Sequence, residues 1–368
     1  MAASLDRRQF LGRSLAAGAG LVVVGGGASS LLAACSSSSK TTTAGTVAPG
    51  GTVAPGAYGA LDMQLSWIKN VEFAGEYIAD TNGYYKQNGY SSVNLMSGGP
   101  NVTQDAIVAS GKALVGISAP DITAPAILQG AEIIAIGAQY QKNPFAIMSL
   151  ASNPIPTPQD MAGKKIGVQS TNQSAWTSFL KANTIDPSSL TTVPVGFDPT
   201  PLTTGTVDGW FSFITNEPIQ LKQQGHDTVT FLLNDYKYPL VSEIYVVQTS
   251  SLQSKRDALK AFLKSEIMGW HDSLKNPQTG ADLAANVYGK DQGLDAKEQA
   301  LESAAQNQLI LTDRTKTDGI FTVTPDMISA NVATLAIGGT DIAGDKLFDL
   351  SILNEVYAEN PDLMTSPV

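Results

Sequence analysis

Basic, metal-binding and nucleophilic side chains are scarce in these 368 residues. The chain holds two histidines and one cysteine, and beyond its N-terminal stretch the arginines are Arg256 and Arg314. His226 lies in the polar turn Gln223-Gln224-Gly225-His226-Asp227 and reads as an exposed loop residue. His271, beside Trp270 late in a helical stretch, reads as a C-terminal cap or surface residue. With a lone cysteine these form no zinc ligand cluster. Neither a nucleophile elbow nor a phosphate loop occurs. Asp341, Asp345 and Asp349 recur every four residues, but among Gly338, Gly339 and Gly344 they read as a solvated acidic face. A single cysteine forms no internal disulfide, so the body is held by its core, for which roughly 300 residues are ample. The formal charge of −10, with no basic block, argues against nucleic acid and anionic lipid surfaces as partners. Arginine is the usual bidentate partner of sulfonate, phosphate or carboxylate, so its scarcity argues against a sulfonate or nitrate ligand.

What is present begins with Arg7-Arg8-Gln9-Phe10-Leu11, then a Gly- and Ala-rich apolar stretch from Leu15 to Leu32, then Leu32-Ala33-Ala34-Cys35. Charged, apolar and small-residue segments in that order mark a removable signal. The arginine pair resembles the Tat address, and Leu-Ala-Ala-Cys resembles the bacterial lipoprotein box, in which the cysteine is lipidated. A permanent membrane helix is the rival, opposed by five glycines in the stretch and its abrupt end at Cys35. Residues 1–34 are thus read as a Tat-type lipoprotein signal peptide. Residues 35–60, rich in Ser, Thr, Gly and Pro, are read as a lipidated flexible linker.

From Leu61 onward short β-rich runs alternate with helical patterns, which reads as α/β with largely parallel sheets. Strands are expected at Met63–Trp67, Val93–Met96, Ala113–Ser118, Ile133–Tyr140, Ala146–Ala151, Lys165–Gln169, Trp210–Ile214, Val229–Leu233 and Glu243–Gln248. The last third is mostly helical. Leu259, Phe262, Leu263, Ile267, Trp270 and Leu274 form a stripe that should face a core. So much α/β chain favours two lobes with a cleft between them, and the Pro-rich run at 153–158 suggests a transition near there.

Three groups of residues carry a family resemblance. They are Ser66-Trp67-Ile68-Lys69-Asn70 with Glu72-Phe73-Ala74-Gly75-Glu76-Tyr77, Asp160-Met161-Ala162-Gly163-Lys164-Lys165-Ile166-Gly167, and Gly205-Thr206-Val207-Asp208-Gly209 with Asn216-Glu217-Pro218. Together they resemble the SsuA-type and thiamine-pyrimidine-precursor-binding (thiamine pyrimidine synthase-like) proteins. The resemblance implies a type II periplasmic-binding-protein fold, with lobe 1 at 61–143 and 249–368, lobe 2 at 144–248 and a ligand between them. It further implies a monomer that delivers its ligand to an ABC permease and ATPase. The same branch contains an enzyme that makes the thiamine pyrimidine using pyridoxal phosphate, iron, a lysine, a histidine and a cysteine run. Here Ser118 and Ile122 stand where the lysine and histidine should be, and 240–247 holds no cysteine. The reading is therefore a binder without cofactor; the alternatives are that enzyme and a surface sensor on the same scaffold.

Ligand groups are expected at strand ends. Trp67, Asn70, Glu72 and Phe73 follow the first strand; Ser118 and Asp121 follow the third; Gln139 and Tyr140 end the fourth. In the second lobe the candidates are Thr171, Asn172, Asn216, Glu217 and Tyr236. Trp176 reads as a packing residue. An aromatic- and amide-rich set suits a neutral or cationic planar heterocycle, either a pyrimidine precursor or a flavin.

Overall fold

The computed structural model describes residues 53–99, 102–365 and 368. The expected leader, Cys35 and the linker through residue 52 lie outside the described residues. Ten strands appear in the chain order β1 Ala60–Gln64, β2 Ser92–Met96, β3 Val115–Ser118, β4 Ile133–Tyr140, β5 Phe145–Leu150, β6 Lys165–Gln169, β7 Thr191–Val195, β8 Gly209–Phe213, β9 Thr228–Leu232 and β10 Ser242–Gln248. They form two five-stranded mixed sheets, β2-β1-β3-β10-β4 and β7-β6-β8-β5-β9. In the first sheet β1 runs parallel to β2 and β3, and β10 lies antiparallel between β3 and β4. Both faces of β3 and β4 are buried, which is why their sequences are unbroken apolar runs rather than alternating ones.

The chain leaves the first sheet after Tyr140, builds the second from Phe145 to Leu232 and returns at Ser242. The expected second lobe extended to Gln248, but the pairing of β10 with β3 and β4 puts Ser242–Gln248 in the first sheet. Strand β7, Thr-Thr-Val-Pro-Val with Pro194, is not among the expected strands. Its place at the edge of the second sheet accommodates a residue with no N–H to donate. The end of the expected linker is also ordered. Tyr58 packs on Tyr90 with ring centroids 5.8 Å apart, its N–H donates to Gly89 O at 3.0 Å, and β1 starts at Ala60 rather than Met63. One aromatic in an otherwise small-residue segment is enough to dock it.

The C-terminal third supplies helices to both lobes. The predicted apolar stripe of Arg256–Lys275 is buried throughout and packs on the helix Ala74–Thr81. Two glycines permit that seam. A Cβ on Gly75 would sit 2.2 Å from the Trp270 indole, and one on Gly269 would sit 2.2 Å from Gly75 O. His271 lies on this helix but is buried, contrary to the expected cap or surface role, and burial depresses it to about 4. His226 is exposed. The helix Pro325–Gly338 packs on Pro120–Leu128 of the first lobe and on Gln173–Ala182 of the second, and Asn331 Oδ1 accepts the Val241 N–H at 3.1 Å. Residues 249–368 therefore do not belong wholly to lobe 1. Among the described residues no helix is long and apolar enough to cross a membrane.

Candidate ligand-binding site

Between the sheets lies a cavity of about 660 Å³, within the range of small-molecule sites. Its first wall begins where β1 ends. The Asn70 side chain accepts the Glu72 N–H at 3.1 Å and caps the short turn Val71–Phe73. The helix Ala296–Ile310 fixes the same turn from behind. Gln299 Oε1 accepts the Val71 N–H at 2.7 Å, and Gln306 donates to Val71 O at 2.9 Å. Tyr140 then donates to Gln306 Oε1 at 2.8 Å, and Gln139 to Glu72 O at 3.0 Å. These amides orient the turn that carries Glu72, whose side chain lines the cavity.

Glu72 meets a second acid there. The Ser66 hydroxyl stands 2.7 Å from Glu243 Oε2 and 3.3 Å from Glu72 Oε1. Burial pushes Glu72 up to about 7, and burial together with the neighbouring Glu72 pushes Glu243 well above the usual carboxylate range. Glu243 holds a left-handed backbone, φ 49°, a conformation that costs free energy for any residue with a Cβ. The backbone is therefore strained at a carboxylate that lines the cavity. Farther along, Glu302 accepts from Gln299 at 3.2 Å and from Asn216 of the second lobe at 3.3 Å. Burial and the nearby Glu298 and Glu217 raise it to about 9. Asp105 is buried with only the Ser118 and Thr123 hydroxyls beside its carboxyl, and burial raises it too.

The second wall is mainly aromatic and amide. Phe211 and Phe213 line it from β8 and Phe197 from the loop after β7. Gln169 donates to Phe211 O at 3.0 Å and accepts from Asn172 at 3.0 Å. Glu217 opens a helix whose second residue is Pro218. Its carboxyl folds back to accept the Phe213 N–H at 2.9 Å, and burial raises it to about 7. Trp67 reaches across from the first lobe to Phe197, ring centroids 4.7 Å apart at a 60° tilt.

Of the expected site residues, the cavity brings together Trp67, Asn70, Glu72, Ser118, Tyr140, Thr171, Asn172, Asn216 and Glu217. It does not include the other four. Phe73 is buried in the first-lobe core, edge-on to Tyr77 at 6.5 Å. Asp121 is turned inward to accept from Tyr238 at 3.3 Å. Gln139 is fully buried and its amide is taken up by Glu72 O. Tyr236 packs edge-on against Phe231 at 5.3 Å. For Phe73, Asp121 and Gln139 the adjacent residue, Glu72, Ile122 or Tyr140, takes the cleft-facing position instead. Trp176 is buried in packing, as expected, with its ring N–H on Thr192 Oγ1 at 2.9 Å.

Sequence reasoning missed Asp105, Phe197, Glu243, Glu302 and Gln306. A signal existed for the last pair. Gln299, Glu302, Ser303, Gln306 and Asn307 repeat at helical spacing and are all buried, so that helix turns a polar stripe inward. No comparable periodicity marks Glu243 within an apolar strand.

Known proteins resemble this chain over much of its length. A riboflavin-binding protein, RibY, of Chloroflexus aurantiacus is 26% identical over 66% of this chain and 71% of its own. A formylaminopyrimidine-binding protein of Halalkalibacterium halodurans is 23% identical over 62% and 69%. A 4-amino-5-hydroxymethyl-2-methylpyrimidine phosphate synthase of Legionella pneumophila is 24% identical over 60% and 71%. Among solved structures, the zinc-bound ligand-binding component of an ABC-type import system from Staphylococcus aureus superposes with TM-score 0.62 at 11% identity, covering 81% of this chain and 98% of that one. The aliphatic sulphonate-binding protein SsuA of Escherichia coli gives 0.57 at 15%, covering 76% and 86%. These likenesses show the periplasmic-binding-protein fold, two α/β lobes with a cleft. Residues 70–280 match the NMT1/THI5-like family, and the chain belongs to it.

Proposed function

We propose that this protein is the substrate-binding component of an ABC importer, capturing a small planar heterocycle outside the membrane and passing it to a permease. One observation carries the reading. A cavity of about 660 Å³ takes its lining, both aromatic faces and hydrogen-bonding groups, from the two lobes. Asn70 and Glu72 follow β1 on one lobe, while Asn172, Asn216 and Glu217 follow β6 and β8 on the other. A ligand touching both favours the closed form by its differential affinity. The relatives named for riboflavin and formylaminopyrimidine support a heterocycle of that kind. The mass of whatever co-purifies with the protein, released by denaturation, tests this directly. A sulfonate or other compact anion there would overturn the heterocycle reading. Solution scattering should show a smaller radius of gyration on saturation with that compound.

The leader and Cys35 add an address: export by a Tat-type route and lipid attachment at Cys35, holding the body near its permease. Replacing Cys35 by Ala should release the protein from membranes or leave the leader uncleaved; an unchanged membrane-bound mature form would contradict it. The synthase relative gives the enzyme reading its one specific support. Against it stand Ser118 and Ile122 at the lysine and histidine positions and the absence of cysteine from 240–247. Incubation with pyridoxal phosphate and iron should give no pyrimidine product, even once per chain.

A further inference from the structure

We propose that the cleft selects a planar organic cation, its ring against the aromatic wall and its N–H groups on the first-lobe acids, and that its entry expels protons from that acid cluster. The inference rests on the binding-protein reading above and narrows its ligand class. Glu72, Glu243, Glu217 and Glu302 all line one cavity, and among its described lining residues there is no Lys, Arg or His. The surroundings supply no hidden counter-charge. Glu72 and Glu243 face each other, Ser66 and, beyond them, another acid, Glu76. Glu302 faces Gln299, Asn216 and the acids Glu298, Glu217 and Glu72. Glu217 faces the Phe213 amide and the Trp210 ring.

A buried carboxylate must be paired, hydrogen-bonded or neutralised. Glu243 and Glu302 are buried and Glu72 and Glu217 half-buried; their partners are neutral donors, and with no cation among the described lining residues protonation is what neutralises them. Asp105 is a separate indication, because its buried carboxyl on the cavity wall has only the Ser118 and Thr123 hydroxyls beside it and no cation among the described lining residues. A neutral heterocycle needs none of this. Asn or Gln would offer it both a donor and an acceptor without the desolvation of an acid. Acids are the better choice only for a ligand that brings positive charge, and charge-assisted bonds repay their burial. The facing aromatic wall, Phe197, Phe211 and Phe213 with Trp67, suits the same molecule, since ring faces attract cations as well as other rings. When the cation arrives, the carboxyls ionise against it and their protons leave to solvent.

Three ring-matched probes separate charge from shape: tryptamine, a cation; tryptophol, its neutral alcohol; and indole-3-acetate, an anion. Calorimetric titration of the protein with each, in buffers of different ionisation heat, reads both affinity and protons released. Tryptamine should bind at least about tenfold more tightly than tryptophol, the step expected of one charge-assisted bond. It should release protons, and its affinity should rise from mildly acidic to mildly alkaline pH. Glu243→Gln should bring tryptamine down to the level of tryptophol while raising the melting temperature of the empty protein. If that variant fails to fold, Glu302→Gln should act in the same direction. Equal or tighter binding of tryptophol, or tryptamine binding without proton release, would overturn the cation inference and leave the binding-protein reading intact. So would the absence of tryptamine binding at millimolar concentration, or its indifference to both substitutions. Indole-3-acetate binding best would overturn the inference and count against the arginine-poor argument for the ligand class as well.

Discussion

The two walls of the cleft come from similar five-stranded sheets and differ in chemistry. On the first, Glu72, Glu243, Glu302 and Asp105 line the cavity, Glu72 on a turn held by buried amides, and behind it the glycine seam locks two helices together. On the second, Phe197, Phe211 and Phe213 offer apolar faces, and Glu217 is its one carboxylate lining the cavity. Phe197 is itself 40% exposed. Rigidity and charge are thus concentrated on one side, covering surface on the other. A division of that kind lets the first lobe dock a ligand and the second close over it.

The largest way to break the contrast is to disturb the rigid side. Gly75→Ala forces a methyl into the Trp270 indole and should destabilise the fold by about 1–3 kcal/mol; denaturant unfolding measures it, and an unchanged midpoint would mean the seam is not tight. Next comes the contact between the walls. Trp67→Ala should weaken binding of the co-purifying ligand by about 1–3 kcal/mol through lost burial and stacking, read by calorimetry. Asn216→Ala removes the bond to Glu302 that joins the lobes and should cost about 1 kcal/mol. Scattering should then show compaction fading while first-lobe docking survives.

The acids of the cleft should also show themselves through pH. Glu72 and Glu217 hold protons up to about 7 and Glu302 up to about 9, whereas the unfolded chain loses them near 4.3. The native state therefore binds more protons between these limits. The stability these groups contribute is complete below pH 4 and declines as pH rises through 7 and then 9. The melting temperature of the ligand-free protein should fall over that interval. Phe197→Ala, the smallest change, should leave that slope as it was while slightly weakening ligand binding; a slope that moved with it would tie the acids to the second wall.

Much of this was legible in the chain. The alternation of runs gave two α/β lobes, the stripe from Leu259 to Leu274 gave the core helix, and nine expected residues line the cavity. Strand β7 was illegible because Pro194 argues against a strand until an edge position is known. Phe73, Asp121, Gln139 and Tyr236 do not line the cavity; for Gln139 the reason is that a strand presents alternate residues to opposite sides, so that Tyr140 takes the cleft.

Local sequence determined what local physics controls: which segments are helix or strand, the charge balance, and the scarcity of arginine that argues against anions. Only the tertiary structure decided the ligand chemistry in detail. Glu72 and Glu243 are 171 positions apart, yet one serine hydroxyl reaches both. Glu302 and Glu217 approach from helices in different lobes. A carboxylate in sequence is an ordinary solvated group. It becomes a raised, proton-holding acid only when folding removes its water and brings another acid beside it, and no spacing along the chain records that meeting.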